Sequence, residues 1–149
     1  MFQRPFSKKY LFGSLLISWM IVIFALSSIP GVVSPYESPL WYVLERKGAH
    51  VIEFLVLALL TATYFSTHTT LRKGKKSLYV LVFLFCMVYA LSDEIHQFFV
   101  FGRQARFTDV LIDSGGAILG VISFFFWQQK KMRARLLKAY RSLKRKTSL

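Results

Sequence analysis

Four long apolar stretches, separated by shorter polar segments, dominate the pattern of this chain. They lie at about residues 11–29, 48–66, 78–97 and 108–127. About 20 helical residues cross the hydrocarbon core of a bilayer, so each stretch is long enough to span a membrane. The pattern therefore predicts an all-α membrane protein with four transmembrane helices in one domain, residues 1–149.

The first apolar stretch permits two interpretations. It is uncharged, contains the small residues Ala25 and Ser27 near its end, and is followed by the helix-breaking pair Pro30-Gly31. A cleaved signal peptide also ends in small residues, but its apolar region usually covers only about 7–15 residues. Because this stretch is longer and further apolar stretches follow, we expect an uncleaved first transmembrane helix.

The distribution of the 20 Lys and Arg residues predicts the topology. Sixteen of them lie in the N-terminal segment, in the loop after the second stretch or in the tail, residues 128–149. The other four are Arg46, Lys47, Arg103 and Arg106. Cytoplasmic loops are enriched in Lys and Arg, so we expect a multi-pass protein with cytoplasmic N- and C-termini. The net charge of +13 reflects this distribution, and no basic patch suggests a nucleic-acid partner.

The basic tail contains apolar residues at helical spacing, namely Met132, Leu136, Tyr140 and Leu143. Lys and Arg occupy most of the positions between them. This pattern predicts a basic amphipathic helix whose partner is the anionic inner leaflet. A disordered tail that only fixes the topology is the alternative.

Polar residues interrupt the apolar pattern where the stretches end on the predicted outer face. The candidates for binding a ligand or headgroup are Lys47, His50, Glu53, Asp93, Glu94, Gln97, Arg103, Arg106, Asp109 and Asp113. A charged side chain at the middle of a membrane helix costs about 2.5–3.5 kcal/mol on insertion scales. Several such residues at one depth therefore indicate a functional polar site.

Each member of this cluster also has a purely structural interpretation. His50 and Glu53 share a helix face and form a buried pair in that interpretation. Asp93 is near a helix C-terminus, where negative charge is unfavourable, and Arg103 would be its ion-pair partner. In the functional interpretation, Arg103 and Arg106 hold a phosphate through two-pronged hydrogen bonds.

Gly116 and Gly120 form a GxxxG pattern in the fourth stretch, which predicts close packing of two helices. The alternative is that these glycines expose backbone to a headgroup. We expect no cofactor and no metal, because the chain has one cysteine, Cys86, and no dense ligand motif such as HExxH. The ligands of any metal would be His50, Glu53, Asp93, Glu94 and His96.

The polar motifs resemble those of the VanZ-like family of small bacterial integral membrane proteins. They read Lys47-x-x-His50-x-x-Glu53-Phe54, then Asp93-Glu94-x-x-Gln97-x-Phe99, Gly102-Arg103, Asp109, Asp113, Gly116 and Gly120. Two positions depart from the family pattern, since Phe101 stands where proline is frequent and Asp113 stands where asparagine is frequent.

The resemblance implies a bacterial plasma-membrane protein, and the family is named for a member that lowers susceptibility to teicoplanin, a lipid-tailed glycopeptide. Our leading hypothesis is that the outer-face cluster binds or modulates a membrane lipid or lipid-linked cell-wall precursor. A membrane-embedded hydrolase or transferase, with or without a metal, is the alternative, and a lipid or small-molecule transporter is a lesser one. Assembly into a homo-oligomer is left open.

Overall fold

The structure is a computed structural model that describes residues 8–31, 40–67, 76–103 and 106–147, apart from the side chains of 41–43 and 145–147. Four α-helices, and no strands, occur within these ranges: α1 (Lys8–Ser27), α2 (Leu40–Phe65), α3 (Lys76–Phe98) and α4 (Phe107–Thr147). All four are long and apolar enough to cross a membrane, so the prediction of four membrane-length helices is confirmed by length and composition. Residues 68–75 of the basic loop predicted at 67–77 lie outside the described residues, and its last two positions, from Lys76, belong to α3.

Helix α2 begins at Leu40, well before the start of the apolar stretch at about residue 48. The extra turns contain Glu45, Arg46 and Lys47, which belong to the residue types with high helix propensity. Pro39 precedes the helix in the sequence, and proline is frequent at helix starts. Hydropathy therefore marks where the chain meets the predicted interface, whereas the helix itself extends beyond it.

Helix α4 continues without a break through the segment predicted as a separate tail. Its 41 residues correspond to a length of about 60 Å, roughly twice the thickness of a bilayer core. Beyond Trp127 the described side chains are mostly exposed, including Leu136 and Tyr140. One contact marks the transition, since Lys131 Nζ lies 4.7 Å from the centroid of the Trp127 ring.

The most extensive helix contact in the bundle is between α2 and α4. A Cβ atom added to Gly116 would overlap the carbonyl oxygen of Val51. A Cβ atom added to Gly120 would lie 2.5 Å from the carbonyl oxygen of Leu55. The two backbones are therefore in direct contact on this side, and only glycine permits that approach.

Helix α1 is held to the bundle by polar contacts as well as by apolar packing. Trp19 Nε1 donates to the carbonyl of Glu53 at 3.0 Å, and Tyr89 OH donates to the carbonyl of Met20 at 2.6 Å. The interior contains buried apolar side chains from all four helices, among them Ile23, Phe54, Leu57, Val82 and Ala117. Many large apolar side chains remain exposed on the outside, as expected for surfaces that contact lipid.

Candidate functional site

The buried polar side chains are concentrated at one end of the bundle. This end is formed by the C-termini of α1 and α3, the N-termini of α2 and α4, and the α3–α4 connection. Except for Thr61, every buried polar or charged side chain in the described part of the chain lies here: Ser27, His50, Asp93, Glu94, Gln97 and Asp113. Residues far apart in the sequence therefore lie together at this end of the bundle.

His50 on α2 is hydrogen-bonded to Asp113 on α4, with 3.1 Å between Nδ1 and Oδ1. Asp113 is fully buried and His50 is 8% exposed. Because an ionised carboxylate can only accept, Nδ1–H is the donor, and in the neutral ring Nε2 is then the acceptor nitrogen. The structure thus pairs His50 with Asp113 rather than with Glu53, the partner considered from helix periodicity.

A second buried contact joins α1 to α3. The Ser27 hydroxyl donates to Asp93 Oδ2 at 2.9 Å, and Gln97 Nε2 donates to the same oxygen at 2.8 Å. Both donors are themselves buried, so the carboxylate is held in a fixed orientation between the two helices. Ser27, Asp93 and Gln97 form one network at the end of the bundle.

Arg103 ties the α3–α4 connection to the end of α1. Its Nε donates to the carbonyl of Ile29 at 2.9 Å, and its Nη2 donates to the carbonyl of Leu26 at 2.7 Å. The last carbonyls of a helix lack the usual intrahelical donors, and here the guanidinium binds the Leu26 carbonyl, which also accepts the Ile29 N–H at 3.3 Å, and the Ile29 carbonyl just beyond α1. Its Nη1 also reaches Gln97 Oε1 at 3.4 Å, which links Arg103 to Asp93 through Gln97.

Two glycines, Gly31 after the end of α1 and Gly102 in the α3–α4 connection, allow these two backbone segments to come into direct contact. Gly31 donates its backbone N–H to the carbonyl of Phe101 at 3.1 Å. A Cβ atom on Gly31 would overlap the carbonyl oxygen of Gly102, and Gly102 has a positive φ of 73°, which favours glycine. The backbone around Phe101 is therefore fixed by contact with the end of α1.

Two further contacts complete this end of the bundle. Glu94 Oε1 accepts the backbone N–H of Arg106, immediately before α4 begins, and so stabilises the start of that helix. His96 Nε2 lies 3.0 Å from the Ser28 hydroxyl, and its ring packs on Phe24 with 4.3 Å between centroids. His96 therefore belongs to the α1–α3 contact.

A cavity of about 370 Å³ opens between the end of α1 and the start of α2, and we call it the end cavity. Its polar and charged lining comprises Ser27, Glu45, Arg46, His50, Glu53 and Arg103. Its remaining lining comprises Leu26, Ile29, Pro30, Gly31 and Ala49. The residues around the cavity therefore include two arginines, two glutamates and one histidine beside an apolar wall.

The profile of the VanZ/LLP1 family matches residues 12–128. This range extends from α1 to the end of the apolar part of α4, and it includes the whole end cavity. The chain belongs to the VanZ/LLP1 family. The resemblance inferred from the polar motifs is thus confirmed. No curated protein and no solved structure matches the chain.

In this VanZ/LLP1 protein the ten predicted candidates fall into three groups. Those that line the end cavity are His50, Glu53 and Arg103. Those that are buried in the adjoining contacts are Asp93, Glu94, Gln97 and Asp113. Those that lie outside the cavity are Lys47 and Arg106, which are exposed, and Asp109, which is half-buried in the first turn of α4.

Three polar or charged residues of the cavity lining were not among the candidates from the sequence, namely Ser27, Glu45 and Arg46. Ser27 was noted only as a small residue, although it lies in the cavity wall and bonds Asp93. Arg46 lines the cavity, whereas the candidate chosen from the motif was its neighbour Lys47. The available signal was periodicity, because positions 46, 50 and 53 lie on one face of a helix.

The carboxyl groups at this end of the bundle are closely spaced. Glu53 is near enough to Asp93 and Asp113 to experience electrostatic repulsion, and His50 and Arg103 oppose it. One oxygen of each of Asp93, Glu94 and Asp113 is buried without a hydrogen-bond partner among the described residues. Within the same ranges, no three His, Cys, Asp or Glu side chains are grouped so that they could hold a metal ion.

Proposed function

We propose that this VanZ/LLP1 protein binds the polar headgroup of a membrane lipid or of a lipid-linked cell-wall precursor in the end cavity. The observation that carries the proposal is the lining of that cavity, where Arg46 and Arg103 lie beside an apolar wall in a protein with four membrane-length helices. Guanidinium groups bind phosphate through paired hydrogen bonds. The arginines would contact the charged headgroup of a lipid, and the apolar wall would contact the first part of its hydrocarbon chains.

Binding at this position would also account for an effect on teicoplanin. That antibiotic carries a lipid tail, so it acts at the membrane surface, where the end cavity would be located under the proposed topology. We propose that a headgroup bound in the cavity is no longer accessible to a lipid-anchored glycopeptide at the membrane surface. Vancomycin has no such tail and serves as the internal comparison.

Arg46→Ala should weaken binding of short-chain phosphatidic acid to the purified protein in neutral detergent by about 10- to 100-fold, because a charge-assisted contact is worth about 1.5–3 kcal/mol. The same variant should reduce any protection against teicoplanin in a susceptible bacterium and leave vancomycin susceptibility unchanged. The lipid dependence of the melting temperature and the minimum inhibitory concentrations are the two measurements, at matched membrane levels.

Asp93→Asn, which perturbs the network with Ser27 and Gln97, should weaken lipid binding and teicoplanin protection to a smaller extent than Arg46→Ala.

Two variants serve as controls for the effect of charge. Lys47→Ala removes the adjacent cation, which is exposed and lies outside the cavity, and Lys76→Ala removes a cation at the opposite end of the bundle. Lys76→Ala should have no effect. If Arg46→Ala and Lys47→Ala weakened binding equally, general surface charge would explain the result and the proposed cavity site would be wrong.

A specific observation favours a second candidate function, a membrane-embedded hydrolase or transferase. His50 contributes to the cavity wall, whereas its partner Asp113 lies behind it in the α2–α4 interface. An imidazole that is oriented by a carboxylate and faces a cavity is the arrangement of many general bases and nucleophiles. The mutation of either residue would then abolish turnover without abolishing binding.

We also propose that both termini face the cytoplasm of a bacterial plasma membrane, so that the basic end of α4 lies near the anionic inner leaflet. In intact cells, a membrane-impermeant maleimide should label Phe99→Cys, whose position is 78% exposed at the site end. It should label Ser142→Cys, at an exposed position of the basic segment, only after permeabilisation. The native Cys86 is buried, so the background should be low. The reverse labelling pattern would contradict both the orientation and the leaflet assignment.

A further inference from the structure

The end cavity contains a single imidazole among its described lining residues, and that imidazole is fixed in one orientation. His50 Nδ1 donates to Asp113 Oδ1 at 3.1 Å, so Nε2 carries the lone pair when the ring is neutral. Because His50 forms part of the cavity wall while Asp113 does not, the ring extends from the helix interface toward the cavity. Asp113 therefore compensates any positive charge that develops on the ring when Nε2 forms a new bond.

The other groups in the cavity match the needs of a phosphoryl group. Arg46 lies in the same lining as His50 and can bind the phosphate oxygens, and Arg103, whose guanidinium binds the end of α1, adds its positive charge to that lining. Phosphoryl transfer depends mainly on positioning and on stabilisation of charge on the phosphate oxygens, which arginine supplies. Glu53 follows His50 by three residues, on the same face of α2, and also lines the cavity, where its carboxyl group can deliver a proton.

Ser27 is the other common nucleophile type in the cavity wall, but its hydroxyl is engaged elsewhere. It donates to Asp93 Oδ2 at 2.9 Å and accepts from Gln97 Nε2 at 3.4 Å. His50, by contrast, has a bound Nδ1 and an acceptor Nε2. The orientation of the two side chains thus assigns the nucleophilic role to the imidazole.

Building on the proposed headgroup binding, we propose that the protein hydrolyses the terminal phosphate of a lipid bound in the end cavity, with His50 as the nucleophile. Nε2 attacks phosphorus, an N–P bond forms, and the P–O bond to the lipid breaks. The electron pair of that bond goes to the lipid oxygen, which takes the proton of the Glu53 carboxyl group. Nδ1–H remains bonded to Asp113 throughout.

Water completes the reaction in a second step. Its oxygen attacks phosphorus, the N–P bond breaks, and the electron pair returns to Nε2. The proton released by the water restores the Glu53 carboxyl group. The products are a lipid alcohol and inorganic phosphate, so the net reaction consumes one water and needs no other reactant. The apolar wall of Leu26, Ile29 and Pro30 favours a lipid phosphate over a soluble one.

The test uses the full chain in detergent micelles with phosphatidic acid and, in a parallel arm, glycerol 3-phosphate. We expect release of inorganic phosphate from the lipid and much slower release from the soluble ester. With ³²P-labelled phosphatidic acid, the protein should acquire a label that is stable to alkali and labile to acid, the signature of a phosphorylated histidine. His50→Gln should abolish release and labelling but still bind the lipid. Asp113→Asn should reduce the rate by about 100-fold or more.

His96→Gln is the matched control, because His96 lies at the same end of the bundle but contacts Ser28 and Phe24 instead of the cavity. It should retain both release and labelling. Binding of phosphatidic acid without phosphate release would overturn the inference and leave the proposed headgroup binding intact. Release that persists in His50→Gln, or release without a histidine label, would also overturn it. A wild-type chain that binds no lipid phosphate would contradict both proposals.

Discussion

Gly116→Ala should lower the free energy of unfolding by about 1–3 kcal/mol, the usual cost of overpacking a close interface. The added Cβ atom would overlap the carbonyl oxygen of Val51, which belongs to the α2 backbone and cannot rotate away. The helices would have to separate along their most extensive contact, and Asp113 would move with α4, one turn before the glycine. Equilibrium unfolding in mixed detergent and SDS micelles measures the change.

The adjacent glycine provides a matched control for this experiment. No atom lies within 4 Å of a Cβ built on Gly115, so Gly115→Ala introduces the same methyl group into open space. Alanine is favoured over glycine inside a helix by about 0.8–1.0 kcal/mol, so this variant should be neutral or slightly more stable. Equal destabilisation by the two substitutions would show that the α2–α4 backbone contact is not the source of the effect.

Asp113→Ala should destabilise the protein by about 2–3 kcal/mol, estimated from two reference values. An interhelical hydrogen bond in a membrane protein contributes on average about 0.6 kcal/mol and at most about 1.7. Removal of one partner of a buried ion pair costs about 3–5 kcal/mol, because the other partner stays buried. Asp113 is fully buried and its loss leaves His50 Nδ1 without its acceptor, so we expect a value between these limits.

Asp113→Asn separates the hydrogen bond from the charge. The amide oxygen of asparagine can still accept from His50 Nδ1, so this variant should lose about 1 kcal/mol or less. Melting temperatures of both variants in one detergent give the comparison. A stable Asp113→Ala protein would mean that the His50–Asp113 contact does not hold α2 and α4 together.

The sequence predicted the number and kind of helices because membrane-length apolar stretches leave few alternatives. A backbone in hydrocarbon must satisfy its own hydrogen bonds, so a stretch of about 20 apolar residues becomes a helix. The helix boundaries differ from the apolar stretches at α2 and α4, where charged helix-forming residues continue the helix outside the stretch. Hydropathy predicts which residues lie in the hydrocarbon of the membrane, whereas helix propensity predicts which residues adopt a helical backbone, and the two ranges need not coincide.

The choice of partners within the site could not be read from the sequence. Spacing of three or four residues places His50 and Glu53 on one face of α2, but it does not say which neighbouring helix faces them. His50 is paired across helices with Asp113, and Asp93 is paired across helices with Ser27, each more than sixty residues away in the chain. These pairs depend on how the helices are rotated about their axes and how closely they approach. Close approach at Gly116 and Gly120 sets this geometry for α2 and α4.

The sequence by itself determined a four-span helical architecture, the family motifs and a set of polar residues that fall at one depth, because the bilayer constrains length and polarity along the chain. Only the tertiary structure decided that Arg46 rather than Lys47 lines the end cavity, that Arg103 binds the carbonyls at the end of α1, and that Ser27 contributes to the wall. The physical reason is that lateral packing and helix rotation are set by contacts between distant residues, which a one-dimensional pattern of polarity does not contain.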